Sequence, residues 1–242
     1  MLRGKQRVQK LVIVAHIHTQ FPEKFGIPRQ SGLVPEALGQ IVFEPEYRNP
    51  DAVKGMEEFS YLWLLWSFSM VKQDKFCATV APPRLGGKER RGVFATRAPY
   101  RPNAIGLSSV KLEAIHLDET LGPVLTVSGV DLLDGTPIYD IKPYLPYTDS
   151  HPDALGGFGE AHRDDGIAVS FPEQELYKLP ERLRDTALAL LEQDPRAAYN
   201  KKTDYVYGMA LEDYDIRFTV QDNCLTVQEV TRRDGTGWEK IK

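Results

Sequence analysis

Cysteine is scarce: the 242 residues carry only Cys77 and Cys224. That excludes a disulfide framework and a cysteine-built metal site, and makes the cytoplasm the expected location. A long apolar run is also missing. No stretch approaches the roughly 18–20 residues that cross a bilayer as a helix. The opening MLRGKQRVQKLVIVAHIH starts basic, but its apolar run LVIVA is shorter than the ~7–15 residues of a secretory core segment. It reads as a lead-in to a first strand. No G-x-G-x-x-G follows a strand, and neither a P-loop nor a G-x-S-x-G is present. The GGFG at 156–159 lies in a polar stretch with no helix behind it. These absences speak against a doubly wound nucleotide-binding sheet and against a serine nucleophile. Net positive charge is missing too, since the formal net charge is -4. A generally basic coat over nucleic acid is therefore excluded.

The positive charge that exists is local. Between residues 84 and 101 stand six cations, Arg84, Lys88, Arg90, Arg91, Arg97 and Arg101, against one acid, Glu89. The core of this run, RGVFATRAPYRPNAIGL, interleaves three of the arginines with Phe94, Tyr100, Pro99 and Pro102. A segment built only for a core would not carry that charge, and a solvated helix would not carry the prolines. Guanidinium and backbone groups of this kind suit an anionic or planar ligand.

The chain reads mostly as strands, at 11–17, 61–69, 92–96, 108–115 and 124–133. The run YLWLLWSFS has the apolar character of a strand buried on both faces. Turns are expected at 118–122 and at Asp134-Gly135, and a short helix near 51–59. Short strands at this spacing without long helices point to a barrel or sandwich. After Tyr147 the composition turns to Gly, Asp, Pro and His in TDSHPDALGGFGEAHRDDG, a linker or flap. Beyond it, 180–193 is an amphipathic helix ended by Asp194-Pro195, and strands follow at 205–211, 216–220 and 225–230. The organisation is mainly β: a barrel domain at 1–148, a linker at 149–169 and a small α+β domain at 170–242.

Three further constellations carry candidate chemistry. His16 and His18 share one strand face, but no third ligand accompanies them, so no metal is expected and structural roles are favoured. The segment FGIPRQSG presents Arg29 and Gln30 on a loop bracketed by Gly26, Pro28 and Gly32. The segment DLLDGTPIYDIKPYLPY places a carboxylate-led turn, Asp134 to Pro137, just before Asp140, Lys142 and three tyrosines. Tyrosines beside prolines suit stacking on a base, worth roughly 1–3 kcal/mol each.

In this order FPEKFGIPRQSGL, PPRLGGKERRGVFATRAPYRPNAIGLSSVKL and DLLDGTPIYDIKPYLPY resemble the TsaA-like (TrmO) family of tRNA adenine N6-methyltransferases. The later run QDPRAAYNKKTDYVYGMALEDYDIRF is similar to the second domain of bacterial members. The resemblance implies a closed or nearly closed β-barrel, S-adenosyl-L-methionine as cofactor, and a homodimer with the cofactor near the interface. It implies methyl transfer to the exocyclic N6 of threonylcarbamoyl-adenosine beside the anticodon of threonine tRNA. Carried over by motif, cofactor contacts fall on Pro28, Arg29, Gln30, Tyr61, Leu62, Arg97, Leu107, Asp134, Gly135, Thr136 and Pro137. The chain departs from the family pattern at Tyr61, at Ala197 and at AHIHTQ, which ends the first strand.

Asp140 is the first candidate proton acceptor and Asp134 the second, with Tyr144 as a hydrogen-bond partner. Arg84, Lys88, Arg90, Arg91, Arg101 and Tyr144 are the expected RNA contacts. Two rival readings stand beside this one: a non-catalytic barrel that binds tRNA or cofactor, and a methyltransferase with another acceptor.

Overall fold

The computed structural model describes residues 9–71, 75–87, 89–162, 166–196, 202 and 205–233, without the side chains at 84, 161 and 162. Strands β1 (Ala15–Thr19), β2 (Leu38–Phe43) and β3 (Tyr61–Ser67) open the barrel. A long excursion follows, containing the two short strands β4 (Thr79–Val80) and β5 (Arg91–Gly92), which pair with each other. Strands β6 (Ile105–Asp118), β7 (Gly122–Ser128) and β8 (Thr136–Pro143) complete a closed barrel in the order β1-β2-β7-β6-β3-β8. Every neighbouring pair around it is antiparallel.

Alternation builds the wall. Ala15, Ile17 and Thr19 of β1 point inward, and His16 and His18 lie on the half-exposed outer face. Leu62, Leu64 and Trp66 of β3 meet Ile17, Ile41, Leu125 and Ile138 in the interior. The run YLWLLWS is therefore buried on one face rather than both. On its outer face Tyr61 is exposed, and Trp63 stays half-buried because the Tyr144 ring lies tilted against it at 5.5 Å and Asp149 accepts its indole N–H at 2.8 Å.

Two expected elements take other forms. The stretch 92–96 is a single 3-10 turn, Val93–Ala95, because the Arg101 guanidinium satisfies the Val93 and Thr96 carbonyls that a strand partner would take. The short helix near 51–59 is two 3-10 turns, Pro50–Val53 and Met56–Glu58, separated by Gly55 at φ 85.

After the barrel come α1 (Pro146–Asp149), β9 (Ala168–Ser170), α2 (Glu173–Leu176) and α3 (Glu181–Glu192). Strands β10 (Tyr207–Leu211), β11 (Tyr214–Gln221) and β12 (Cys224–Arg232) join β9 in a sheet ordered β10-β11-β12-β9. β9 begins within the stretch read as linker and pairs parallel to β12. Helix α3 buries Leu183, Ala187, Leu190 and Leu191 along one stripe. The β11–β12 turn holds Asp222 at φ 48 and Asn223 at φ 57, residues that tolerate the left-handed region.

The barrel and this α+β unit share one hydrophobic core. Phe25, from the β1–β2 connection, stacks on Tyr207 and on Phe218, each at 6.4 Å. A Cβ on Gly26 would meet Met209 Cγ at 2.5 Å, so only glycine lets that strand so close. No helix among the described residues is long and apolar enough to cross a membrane.

Candidate active site

In a closed antiparallel barrel, alternate connections emerge at the same end. β1, β7 and β3 run one way, and β2, β6 and β8 run the other. The connections β1–β2, β3–β6 and β7–β8 therefore leave from one end. They are FPEKFGIPRQSGL, the cation-rich stretch and DLLDGTP. Three segments separated by up to a hundred residues thus meet at one rim.

The first connection is anchored on both sides. Pro28 is buried. Arg29 Nη2 donates to the carbonyls of Asp194 at 2.7 Å and Arg196 at 3.1 Å, so its guanidinium points at the C-terminal unit. Gln30 Oε1 accepts from Arg97 Nη1 at 2.6 Å, which ties the first connection to the second. Gly32 N donates to Gly129 O at 2.8 Å and so ties it to the third.

The third connection turns at Leu133 to Thr136. Thr136 N and Oγ1 both donate to the Leu133 carbonyl, and Gly135 adopts φ 73. Asp134 Oδ1 accepts Thr19 N at 3.0 Å, and His18 Nδ1 lies 3.4 Å from it. His16 pairs instead with Glu44 at 2.7 Å, so the two histidines serve different carboxylates. A Cβ at Gly32 or Gly135 would meet nothing within 4 Å, so open space lies over both turns.

The arginines of the second connection divide. Arg97 is exposed at the rim beside Gln30. Arg101 stabilises its own loop and lies over the Phe94 ring at 5.9 Å. Arg90 holds Thr79 through its hydroxyl and carbonyl. Arg91 pairs with Glu89 at 2.6 Å and lies 6.0 Å from the Phe158 ring centre. Phe76 and Phe94, both largely exposed, stack at 6.4 Å. Lys88 and the Arg84 side chain lie outside the described residues.

The remaining expected residues lie along the barrel wall. Leu62 is fully buried in the core, so its side chain is not presented to a ligand. Tyr61 is exposed, its carbonyl accepts Tyr144 N at 2.9 Å, and the two rings lie 6.2 Å apart. Leu65 is the cross-strand partner of both Leu107 and Asp140. These three residues form a row on the outer face. Asp140 Oδ2 pairs with Lys142 at 2.8 Å, and Oδ1 accepts Ile141 N.

Sequence reasoning passed over Asp131. Its Oδ1 accepts the Ser108 hydroxyl at 2.6 Å, and Ser108 accepts Trp66 Nε1 at 3.0 Å. Burial pushes its carboxyl up to about 6, against the opposing pull of Ser108, the Ser31 N–H and Arg97. The signal was in view, an acid opening an otherwise apolar DLL, but pattern alone does not separate it from Asp134.

A closed antiparallel barrel with an arginine- and carboxylate-bearing rim sets this chain apart from the doubly wound nucleotide-binding sheet. Models of two domains match the chain: the tRNA-methyltransferase O N-terminal domain at residues 16–150 and the TrmO C-terminal domain at residues 166–233. The chain belongs to the tRNA-methyltransferase O family, whose members depend on S-adenosylmethionine.

The tRNA (adenine(37)-N6)-methyltransferase of Escherichia coli (strain K12) is 42% identical over 216 residues, covering 85% of this chain and 91% of its own. A Pseudomonas aeruginosa protein named for S-adenosylmethionine-dependent methyl transfer is 43% identical over 213 residues, covering 85% and 90%. A crystal structure of TrmO from Pseudomonas aeruginosa superposes with a TM-score of 0.77 at 34% identity, covering 94% of this chain and 99% of that one. The rim suits the cofactor: it offers an exposed guanidinium for a carboxylate, an acid at Asp134, and open backbone over Gly32 and Gly135.

Proposed function

We propose that the chain methylates the exocyclic N6 of threonylcarbamoyl-adenosine beside the anticodon of threonine tRNA. The observation that carries this reading is the convergence of the three motif-bearing connections at one barrel end. It supports a cofactor seat formed by Pro28, Gln30, Arg97, Leu107 and the turn from Asp134 to Pro137. The bound S-adenosylmethionine supplies an electrophilic methyl group on a sulfonium.

The chain's own residues position and discharge. Arg97 receives a carboxylate, Asp134 faces positive charge at the turn, and the backbone at Gly135 admits close approach. In-line displacement draws most of its rate from such alignment. On taking that methyl group, the acceptor nitrogen would give up its proton. Asp140 is the proton acceptor, since it lies in the row with Leu65 and Leu107, and Asp134 is the alternative. The threonylcarbamoyl group withdraws density from N6, so a carboxylate suffices as base.

Arg91, Arg90, Arg101 and Tyr144 contact the RNA, as do Arg84 and Lys88. The enzyme works as a cytoplasmic homodimer, with units divided near the 149–169 segment. The test is transfer of labelled methyl to threonine tRNA with and without its threonylcarbamoyl group. Label on the modified tRNA alone is expected. Equal label on both overturns the acceptor, and label on neither favours a binding barrel.

A further inference from the structure

Asp131 has no part in the roles above, yet its surroundings are built. It stands three residues after β7, in the connection that holds the Asp134 turn. Its Oδ1 accepts the Ser108 hydroxyl, and Ser108 accepts the Trp66 indole N–H. Ser108 and Trp66 are barrel residues, 1% and 8% exposed, so the wall itself fixes this carboxylate. The Ser31 backbone N–H also donates to it, and Arg97 acts on it electrostatically. Ser31 Oγ accepts Ser109 N at 3.2 Å, which holds the same loop against β6. One acid therefore ties the first connection, through the Ser31 N–H, to β6, through the Ser108 hydroxyl, from the third connection that carries it, and its charge acts on Arg97 of the second.

Leaving a carboxylate at such a place costs stability. Desolvation is the largest influence on it and lifts its pKa to about 6. A buried carboxylate with a raised pKa, held by hydrogen bonds from separate loops, marks a place where charge acts on its neighbours.

We infer that Asp131 is a positioning residue for methyl transfer: it holds the Gln30–Ser31 loop, and through Gln30 the Arg97 guanidinium, in the arrangement that receives the cofactor's carboxylate. The inference rests on the reading of this rim as the cofactor seat. The groups facing Asp131 are Ser108 from β6, Ser31 from the first connection and Arg97 from the second, and of these Arg97 alone is charged. Protonation below about pH 6 removes the negative charge that acts on Arg97 and weakens cofactor binding. Stability moves the other way. The folded pKa lies above the ordinary carboxyl value of 3.8, so the ionised acid opposes folding above about pH 6, and that opposition fades as pH falls toward 3.8.

The test is calorimetric titration of S-adenosylmethionine into the full chain, as wild type, Asp131→Asn and Arg97→Ala, at about pH 7 and about pH 5.5. Asp131→Asn is expected to bind about tenfold more weakly than wild type near neutrality. Its affinity should be nearly independent of pH, and its thermal midpoint equal to or above wild type. Wild-type affinity should fall as pH drops through about 6.

Unchanged affinity in Asp131→Asn beside a weakened Arg97→Ala overturns the inference and leaves the seat standing. Unchanged affinity in Arg97→Ala overturns the seat itself. Ser108→Ala gives a second reading, because it keeps the charge and removes its hydroxyl donor. The inflection in cofactor affinity should then move above that of wild type, and an unmoved inflection overturns the inference.

Discussion

Arg29 of the first barrel connection grips the backbone of Asp194 in the C-terminal unit, its Nη2 donating to that carbonyl at 2.7 Å. Asp194 is held in the left-handed region at φ 45, and its carboxylate takes the fork of Arg196, a residue only 6% exposed. The second unit thereby braces the loop that carries Gln30. Arg29→Ala should lower stability by about 2 kcal/mol, because two carbonyls lose a charged donor. Arg29→Lys should recover part of that loss. Thermal melts of the three proteins check this, and a melt unchanged in Arg29→Ala contradicts it.

Gly106 lies flat beneath the Trp66 ring, where a Cβ would sit 2.2 Å from Cε2. Gly106→Ala should therefore push the indole away from Ser108 and cost about 2–3 kcal/mol by overpacking. Gly92→Ala is the control, since nothing lies within 4 Å of a Cβ there. Denaturant melts should separate the two variants clearly, with tryptophan fluorescence shifted in Gly106→Ala alone.

Glu212 is 5% exposed and accepts both terminal nitrogens of Arg182, whose own side chain is 53% exposed. Removal of the two partners should not be equivalent. Arg182→Ala leaves a buried carboxylate with the weaker Gln20 contact at 3.4 Å. That variant should lose about 2–3 kcal/mol. Glu212→Gln leaves a guanidinium that water can reach, and should lose clearly less. Equal losses by denaturant unfolding would contradict this assignment of burial.

Arg91 pairs with the exposed Glu89 rather than with backbone carbonyls. Arg91→Ala should weaken tRNA binding and reduce the salt slope of log Kobs by about 1. Arg101→Ala should act differently, because Arg101 satisfies the Val93 and Thr96 carbonyls. It should lower the thermal midpoint as well. Binding measured across a salt series, beside melts, distinguishes the two.

The sequence disclosed the parts of this fold that repeat a period. β1, β3 and the first half of β6 alternate strongly enough to be found, β7 shows as a short apolar run, and α3 shows a clean stripe. β2 and β8 escaped. Gly39 interrupts the apolar pattern of β2, where a Cβ would meet Ile17 Cδ1 at 3.0 Å, and β8 carries Pro137, Asp140 and Lys142 and so looks like a site segment. The candidate site was legible as three motifs, but their meeting at one rim follows from strand order, which pairing over a hundred residues decides. The bond from Arg29, expected as a cofactor contact, to the C-terminal unit and the buried setting of Asp131 went unread for the same reason. Each is defined by a partner far along the chain, Asp194 for one and Ser108 for the other.

The central claim is that three same-end connections form one cofactor seat. Amide hydrogen exchange with and without S-adenosylmethionine tests it most directly. The account expects cofactor-dependent protection in peptides covering 28–32, 97–107 and 131–137 together, with the opposite barrel end around 118–122 unchanged. Protection confined to one of those segments, or appearing at 118–122 instead, would contradict it.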